Sequence, residues 1–396
     1  MKINLGVFYG GKSVEHEVSI ISALQAMINI DREKYNVIPV YITKDDEWYT
    51  GEELFDVNLY RDLKNLKKTA DRVYMKLDKI DTSLFRHKNN KKREKIDMAF
   101  PILHGGYGED GRIQSFFEMI DIPYVGSDYV SSAIGMDKEL MKKILKADGI
   151  RQVEYKSFMF KEFVKKEDEV IKELEDEVKY PVIVKPSNLG SSIGIAKASN
   201  REELIDVIFE AAKYSEKIIV ERCIENLKEI NISVLGDSEE QRLSVCEQPL
   251  TDNEILSYTD KYVGERKTKG SKGMASLSRK IPADISEEIK GEIEDLAIKI
   301  FNSIGCSGVI RIDFMIEDNE KVYVNEVNTI PGSLSFYLWK HDGIKYKKLI
   351  NDMLKLAIKK YMKKEKLTYV YKENVLALGG GIKGLKGSKG AKGGKF

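Results

Sequence analysis

The residues best placed for chemistry lie in two neighbouring apolar runs, Gly308–Ile316 (GVIRIDFMI) and Lys321–Asn328 (KVYVNEVN). Side chains two apart on a strand share a face. Arg311 and Asp313 therefore project together, as do Glu326 and Asn328. With a turn centred near Asp318 and Asn319, Arg311 is expected opposite Glu326, with Asp313 diagonal to it. Two carboxylates, an amide oxygen and a guanidinium then gather on one surface of an apolar ladder. Oxygen donors of this kind suit Mg²⁺ or Mn²⁺, which takes one or two carboxylates and leaves room for substrate phosphates. The alternative is a solvated hairpin face carrying a salt bridge.

A second group of residues suits phosphate. Val182–Gly194 (VIVKPSNLGSSIG) is a buried-strand pattern that delivers Lys185 to a Gly/Ser loop. Glycine lets backbone amides approach an anion closely. It is no Walker A loop, and Gly10–Gly11–Lys12–Ser13 lacks that motif's first glycine. Asp137 is a plausible cap for a helix carrying Leu140, Met141, Ile144 and Leu145, closed by Gly149. Lys138 then sits in the first turn, where the helix dipole disfavours a cation; a bound anion would account for it. Glu221 ends one apolar strand and Glu229 opens another, a placement that suits hydrogen bonds to an adenine amino group and ribose hydroxyls. Each glutamate reads equally as a solvated edge residue. Glu15, His104 and the loop Gly105–Gly111 follow sheet strands at their carboxyl ends, where open α/β sheets bind ligands. His104 reads either as a ligand contact or as a satisfied structural histidine.

The elements that must hold these groups follow from periodicity. Ile3–Phe8 is a strand, followed by a helix with Ile20, Ile21, Leu24, Met27 and Ile28 on its apolar stripe. Val37–Ile42 and Met98–Leu103 are further strands, and this alternation predicts a parallel sheet. The charged stretch Lys88–Lys95 reads as a solvated loop. A new unit begins near Ser127. Asn200 and Glu203 have capping-box spacing, and strands dominate from Lys217 to Leu250. Thr251–Lys280 has no period and is rich in Lys and Gly, which predicts a long surface loop or lid. Ser286–Ile304 is a helix with Ile289, Ile293, Leu296, Ile300 and Ile304 on its core face, stopped by Gly305. Another helix spans about Lys345 to Lys363. The chain ends in five Gly-x-Lys repeats, Gly381 to Lys395, which read as a flexible cationic tail. The expected division is 1–126, 127–214, 215–363 with a lid at about 251–280, and 364–396 as an extension and tail.

Composition narrows the classes. The chain has 396 residues, enough for two or three domains. Lys+Arg number 65 against Asp+Glu 64, so bulk charge points to neither nucleic acid nor an anionic membrane. Cys223, Cys246 and Cys306 form no CxxC pair, which argues against a disulfide framework or thiolate zinc site and fits a reducing cytoplasm. No apolar run reaches the length of a membrane helix. The N-terminus does not read as a signal peptide.

Taken together and in order, GGKSVEHEVS (Gly10–Ser19), LHGGYGEDG (Leu103–Gly111), GMDK (Gly135–Lys138), VIVKPSNLGSSIG, RIDF (Arg311–Phe314) and EVNTIPG (Glu326–Gly332) resemble the D-alanine–D-alanine ligase family of ATP-grasp ligases. The resemblance extends from Lys2 to about Lys363. It implies an N-terminal parallel α/β domain followed by a two-part ATP-grasp fold, and ligation of two D-alanines through an acylphosphate for peptidoglycan precursor synthesis. By motif position it gives Lys138, Lys185 and Ser192 to ATP phosphates, and Glu221, Arg222, Ile224 and Glu229 to the nucleoside. Asp313, Glu326 and Asn328 would hold two Mg²⁺ or Mn²⁺ ions. Glu15, with His104 nearby, would take the first D-alanine. Glu15, Ser191 and Tyr262 would clamp the lid, which also carries Lys261. Arg311 and the Gly332 N–H would stabilise the tetrahedral oxyanion. A cytoplasmic homodimer is the implied state.

One departure concerns the acceptor. The family usually places a serine five residues past the last glycine of EVNTIPG, whereas this chain has Tyr337 there and Ser335 two residues earlier. An acceptor other than D-alanine, such as D-serine, a hydroxy acid or another amino acid, is the alternative this motivates. The third alternative is a non-catalytic binding protein whose cationic tail docks to nucleic acid or anionic lipid. The tail has no counterpart in the family pattern and could add weak, salt-sensitive binding to nucleic acid.

Overall fold

The computed structural model describes residues 2–190, 193–250 and 279–370. Its first unit is a seven-stranded sheet in the order β6-β5-β4-β3-β2-β1-β7. These strands are β1 (Ile3–Gly10), β2 (Tyr35–Ile42), β3 (Trp48–Thr50), β4 (Asp71–Met75), β5 (Ser83–Arg86), β6 (Lys92–Lys95) and β7 (Met98–Ile102). β1 runs parallel to both β2 and β7, with the helix His16–Asn29 as the crossover from β1 to β2. β1 and β7 are apolar on both faces because helices and neighbouring strands cover both. The parallel expectation therefore holds for three strands, while β3 to β6 extend the sheet antiparallel. The charged stretch Lys88–Lys95 corrects the loop expectation in its second half. Lys92–Lys95 pairs with β5 as an edge strand, where charge on both faces discourages further pairing.

The second sheet has order β10-β9-β11-β8 and is antiparallel throughout: β8 (Tyr155–Met159), β9 (Val182–Pro186), β10 (Ala196–Ala198) and β11 (Lys217–Arg222). The expected boundary at 214/215 gave β11 to the last unit; it pairs instead between β9 and β8. Helix Arg201–Ala212 starts on the expected capping box, with Glu203 N–H donating to Asn200 Oδ1 at 3.0 Å and Ser199 N–H to Glu203 Oε2 at 2.7 Å.

The third sheet has order β13-β12-β16-β17: β12 (Lys228–Gly236), β13 (Gln241–Leu243), β16 (Gly308–Glu317) and β17 (Lys321–Asn328). Between its halves, β14 (Gln248–Pro249) pairs with β15 (Arg279–Lys280), two short strands that flank residues 251–278. Helix Glu287–Ile304 packs on this sheet, capped by the Ser286 hydroxyl and ended by Gly305 at φ 75°. Ile289, Ile293, Ile300 and Ile304 join Ile310, Ile312 and Phe314 in one core, while Leu296 is only half-buried at its margin.

The chain then returns to its start. Leu349, Met353 and Ala357 of helix Tyr346–Lys364 pack with Leu5, Met27 and Met98 in a shared core. Lys364 Nζ reaches Glu118 at 2.6 Å and Asp121 at 3.1 Å. Among the described residues no helix is long and apolar enough to cross a membrane. The lid expected at 251–280 and the Gly-x-Lys tail lie outside the described residues, apart from Arg279 and Lys280.

Candidate functional site

The acidic rim is built by two strands and one irregularity. Ile310, Ile312 and Phe314 face the core, so Arg311 and Asp313 face the other way. β16 and β17 pair Arg311 with Asn328 and Asp313 with Glu326, and the register slips between Asp313 and Phe314, which pairs with Val324. The expected pairing of Arg311 with Glu326 is therefore corrected. Asn325 is an extra residue, a β-bulge. Val322, Val324 and Val327 stay on the core face across the slip, and Asn325, Glu326 and Asn328 turn to the other face. Arg311 Nε and a terminal nitrogen donate to the two oxygens of Asp313 at 2.6 and 2.7 Å, and Asn328 Nδ2 donates to Asp313 Oδ2 at 3.2 Å. Burial disfavours the guanidinium charge, but Asp313 overrides this and holds Arg311 well above its ordinary pKa. Among the described residues no three His, Cys, Asp or Glu side chains form a metal cage. A cation here needs the amide oxygen of Asn328 beside the two carboxylates.

A lysine cluster faces this rim. Asp137 caps helix Lys138–Ala147 as expected, accepting from the backbone N–H of Glu139 and Leu140. The buried stripe differs from the one expected: Lys138, Met141, Lys142 and Leu145 face inward, and Leu140 is exposed. Lys138 Nζ donates to Leu189 O at 2.8 Å and lies 3.6 Å from Glu326. Lys185, on β9, donates to Glu221 Oε2 at 2.7 Å and to Asn325 Oδ1 at 3.2 Å. Lys142 Nζ lies 3.1 Å from the other Glu221 oxygen. Burial alone would raise the Glu221 pKa; the two ammonium groups outweigh it and hold the carboxyl well below its usual range. The cluster thus joins the second sheet to the third through Lys185 and to the rim through Lys138.

Val153, Ile224, Met315 and Tyr323 form a small apolar cluster. Glu229 pairs across the ladder with Met315. The Arg222 side chain is a strut, bonded to Glu154 at 2.6 Å and Glu317 at 2.5 Å.

Glu15 lies at the other end, after β1, buried to 7 % exposure. It lines a cleft of about 480 Å³ with Lys12, Gly105, Asp137, Asn188 and Gly190. Two glycines let the walls close on it. A Cβ at Gly105, whose φ is +71°, would meet Ser13 Oγ at 2.4 Å and Glu15 Oε2 at 3.0 Å; one at Gly190 would lie 3.2 Å from the same oxygen. Glu109, in the loop after β7, accepts from Gly105 N–H at 2.7 Å and Ile330 N–H at 3.3 Å. Burial, then the charge of Glu15, pushes its pKa up to about 8. The sequence reading passed over Glu109; its place inside LHGGYGEDG was the available signal.

His104 joins two distant segments through its ring. Nδ1 meets Ile330 O at 2.8 Å and Nε2 meets Ser22 Oγ at 2.8 Å, so both ring nitrogens are spent. Ser22 Oγ also accepts Ser333 N–H at 2.9 Å. The neutral ring with a proton on Nδ1 satisfies the set, and burial, which lowers the histidine pKa, favours that form. The clip fixes the backbone on both sides of Gly332. Next, Ser333, Leu334 and Ser335 are left-handed at φ 51°, 52° and 49°. Such a run costs roughly 1–3 kcal/mol per residue and persists only where the surroundings hold it; here the Ser22 bond and the buried Leu334 do so.

The acceptor candidates diverge. Ser335 Oγ is buried with no hydrogen-bond partner among the described residues. The Tyr337 hydroxyl donates to Glu247 Oε1 at 2.8 Å. Asn231 Nδ2 and Arg279 also donate to Glu247, at 3.1 and 3.0 Å, and the Arg279 guanidinium stacks 4.2 Å over the Tyr337 ring. Ser191, Ser192, Lys261 and Tyr262 lie outside the described residues.

Comparison with known proteins matches two stretches of the chain. A family model described as D-ala D-ala ligase N-terminus matches residues 4–127, and one described as D-ala D-ala ligase C-terminus matches residues 144–355. A D-alanine–D-alanine ligase of Natranaerobius thermophilus is 39% identical over 386 residues, covering 94% of this chain and 100% of its own. Among solved structures, the VanG D-Ala:D-Ser ligase of Enterococcus faecalis is similar with a TM-score of 0.76 and 30% identity over 90% of this chain and 100% of its own. The D-alanine–D-alanine ligase of Bacillus anthracis complexed with ATP has a TM-score of 0.65 and 25% identity over 91% of this chain and 99% of its own.

Proposed function

The chain belongs to the D-alanine–D-alanine ligase family, and from that premise we propose how its residues carry out the reaction. It is an ADP-forming ligase that joins two D-alanines in an ATP-dependent reaction, supplying the dipeptide for peptidoglycan precursor. The observation that carries the assignment of roles is the convergence of the Arg311, Asp313, Glu326 and Asn328 rim with Lys138 and Lys185.

Glu15 takes the ammonium of the first D-alanine in the cleft beside Gly105 and Gly190. Lys138, Lys185 and Ser192 meet the ATP phosphates, with Lys185 leaving Glu221 to do so. Glu221, Glu229, Ile224 and the backbone at Arg222 receive the nucleoside. The donor carboxylate oxygen attacks the γ-phosphorus, giving an acylphosphate and ADP. Anion meets anion in that step, and the lysines and Arg311 neutralise the charge, usually the largest catalytic term. The amine of the second D-alanine attacks the acyl carbon, the bond from that carbon to the phosphate oxygen breaks, and the departing phosphate takes up the proton that the amine loses. Arg311 and the Gly332 N–H receive the oxyanion, and Ser335 and Tyr337 border the acceptor. Ser191 and Tyr262 join Glu15 in holding a lid that carries Lys261 and keeps water from the acylphosphate.

Asp313, Glu326 and Asn328 fit two Mg²⁺ or Mn²⁺ ions in their chemistry: hard oxygen donors, brought to one face by the Asn325 bulge. Ions held there supply charge neutralisation on the phosphates. We further propose a cytoplasmic homodimer without membrane attachment, its tail able to add only weak binding to nucleic acid. The same reading divides the chain into an N-terminal, a central and a C-terminal unit, and the pairing of β11 in the central sheet supports placing the second boundary past Arg222.

The test is ADP formation from ATP by the purified full chain. It should require both Mg²⁺ and D-alanine and yield D-alanyl-D-alanine in equal amount; turnover with L-alanine but none with D-alanine would refute the function.

A further inference from the structure

Lys142 has no task in the reaction as assigned above, yet it is buried completely, at 0 % exposure. An ammonium is among the most expensive groups to bury, and pairs of buried charges often do no better than apolar replacements. Among the described residues its Nζ has no well-aligned hydrogen bond. What it has is the Glu221 carboxylate, 3.1 Å away, and the face of Tyr155, 5.2 Å from the ring centroid. Its helix is fixed by the Asp137 cap and by Met141 and Leu145 in the core, and its side chain is enclosed at 0 % exposure.

Glu221 therefore sits between two ammonium groups of different freedom. Lys185 bonds both Glu221 and Asn325, at the junction with the rim, and a polyphosphate drawn into the site competes for it. Once Lys185 turns to phosphate, a carboxylate at 2 % exposure is left with one counter-charge. We infer that Lys142 is that resident counter-charge, a positioning residue that keeps Glu221 ionised and aimed while nucleotide is bound, and thereby sets the preference for a 6-amino over a 6-oxo purine.

The chemistry of the base makes this specific. An ionised carboxylate accepts from the 6-amino group of adenine and repels the 6-oxo group of hypoxanthine, which is itself an acceptor. A Glu221 protonated for want of a neighbour would donate to the 6-oxo group, and the distinction would shrink. The inference rests on the assignment of Glu221 to the base, so the experiment separates the two.

The experiment measures kcat/KM for ATP and for ITP, with the KM for D-alanine, in the wild type, Lys142→Met, Lys142→Arg and Glu221→Gln. Lys142→Met should lower the ATP:ITP ratio about tenfold or more, the scale of one hydrogen bond to a charged group, and leave the KM for D-alanine within about twofold. Lys142→Arg, which keeps the charge, should recover most of the ratio; should Lys142→Met not fold, Lys142→Gln carries the same expectation. If Glu221→Gln changes the ratio but removal of the Lys142 charge does not, the inference falls and the base assignment stands. If Glu221→Gln leaves the ratio unchanged, both fall. A loss for ATP and ITP in equal proportion on removing Lys142 would mark it as a packing residue and also overturn the inference.

Discussion

Arg311→Lys should reduce kcat about 10²-fold or more, with the KM values for ATP and D-alanine moving by only a few fold. The expectation comes from what Arg311 does in two places. Its guanidinium forks onto both oxygens of Asp313 at 2.6 and 2.7 Å, and it is almost wholly buried. A lysine keeps the charge but offers no planar fork, so it cannot hold Asp313 and face an oxyanion in the same geometry. Losing one preorganised donor to an oxyanion costs about 10²–10³ in rate. Arg311→Ala should add a second loss, because it leaves Asp313 buried with its main partner gone; breaking such a pair costs roughly 3–5 kcal/mol of stability. Steady-state kinetics and a melting curve on the two variants separate the effects. A Lys variant with near-normal kcat would remove Arg311 from the chemistry.

Glu326→Gln should lower kcat by about two orders of magnitude and raise the Mg²⁺ concentration needed for half-maximal rate, with the melting temperature nearly unchanged. Glu326 is half-buried at the bulge, 3.6 Å from Lys138 and opposite Asp313. Glutamine keeps its shape and removes one negative charge from the donor set, and a hard cation depends on that charge. Activity measured against Mg²⁺ concentration reads both effects. A normal rate with an unshifted Mg²⁺ dependence would mean that Glu326 is no ligand.

How much of this was legible beforehand depended on the kind of information. The caps at Asp137 and Asn200 and the stop at Gly305 were readable because they are local: a side chain or a glycine answers backbone groups within one turn. The face shared by Arg311 and Asp313 was readable for the same reason. The register was not read correctly, although a signal existed. Val322, Val324 and Val327 break the period of two, and a phase slip in an apolar alternation is what a bulge leaves in a sequence.

Lys142 escaped for the opposite reason. Apolar periodicity sends lysines to solvent, and it favoured Leu140 and Ile144 over Lys138 and Lys142 as the buried positions. Their burial makes sense only with Glu221, which lies on a strand of the second sheet, and with the rim of the third. The pairing of β11 with β8 and β9 was likewise beyond local reading, since β11 and β12 are consecutive strands that enter different sheets. His104 and Tyr337 show the limit of motif position alone: the motif places the residue near the site, and only the partners Ile330, Ser22 and Glu247 say what its polar atoms do.

The account's central claim is that the rim and its lysines activate a carboxyl group by phosphorylating it. The most direct measurement is a turnover with ATP, Mg²⁺ and D-alanine labelled with ¹⁸O in its carboxylate. The account predicts that the released inorganic phosphate carries one labelled oxygen for each dipeptide formed. Phosphate released without the label, alongside normal dipeptide formation, would contradict it.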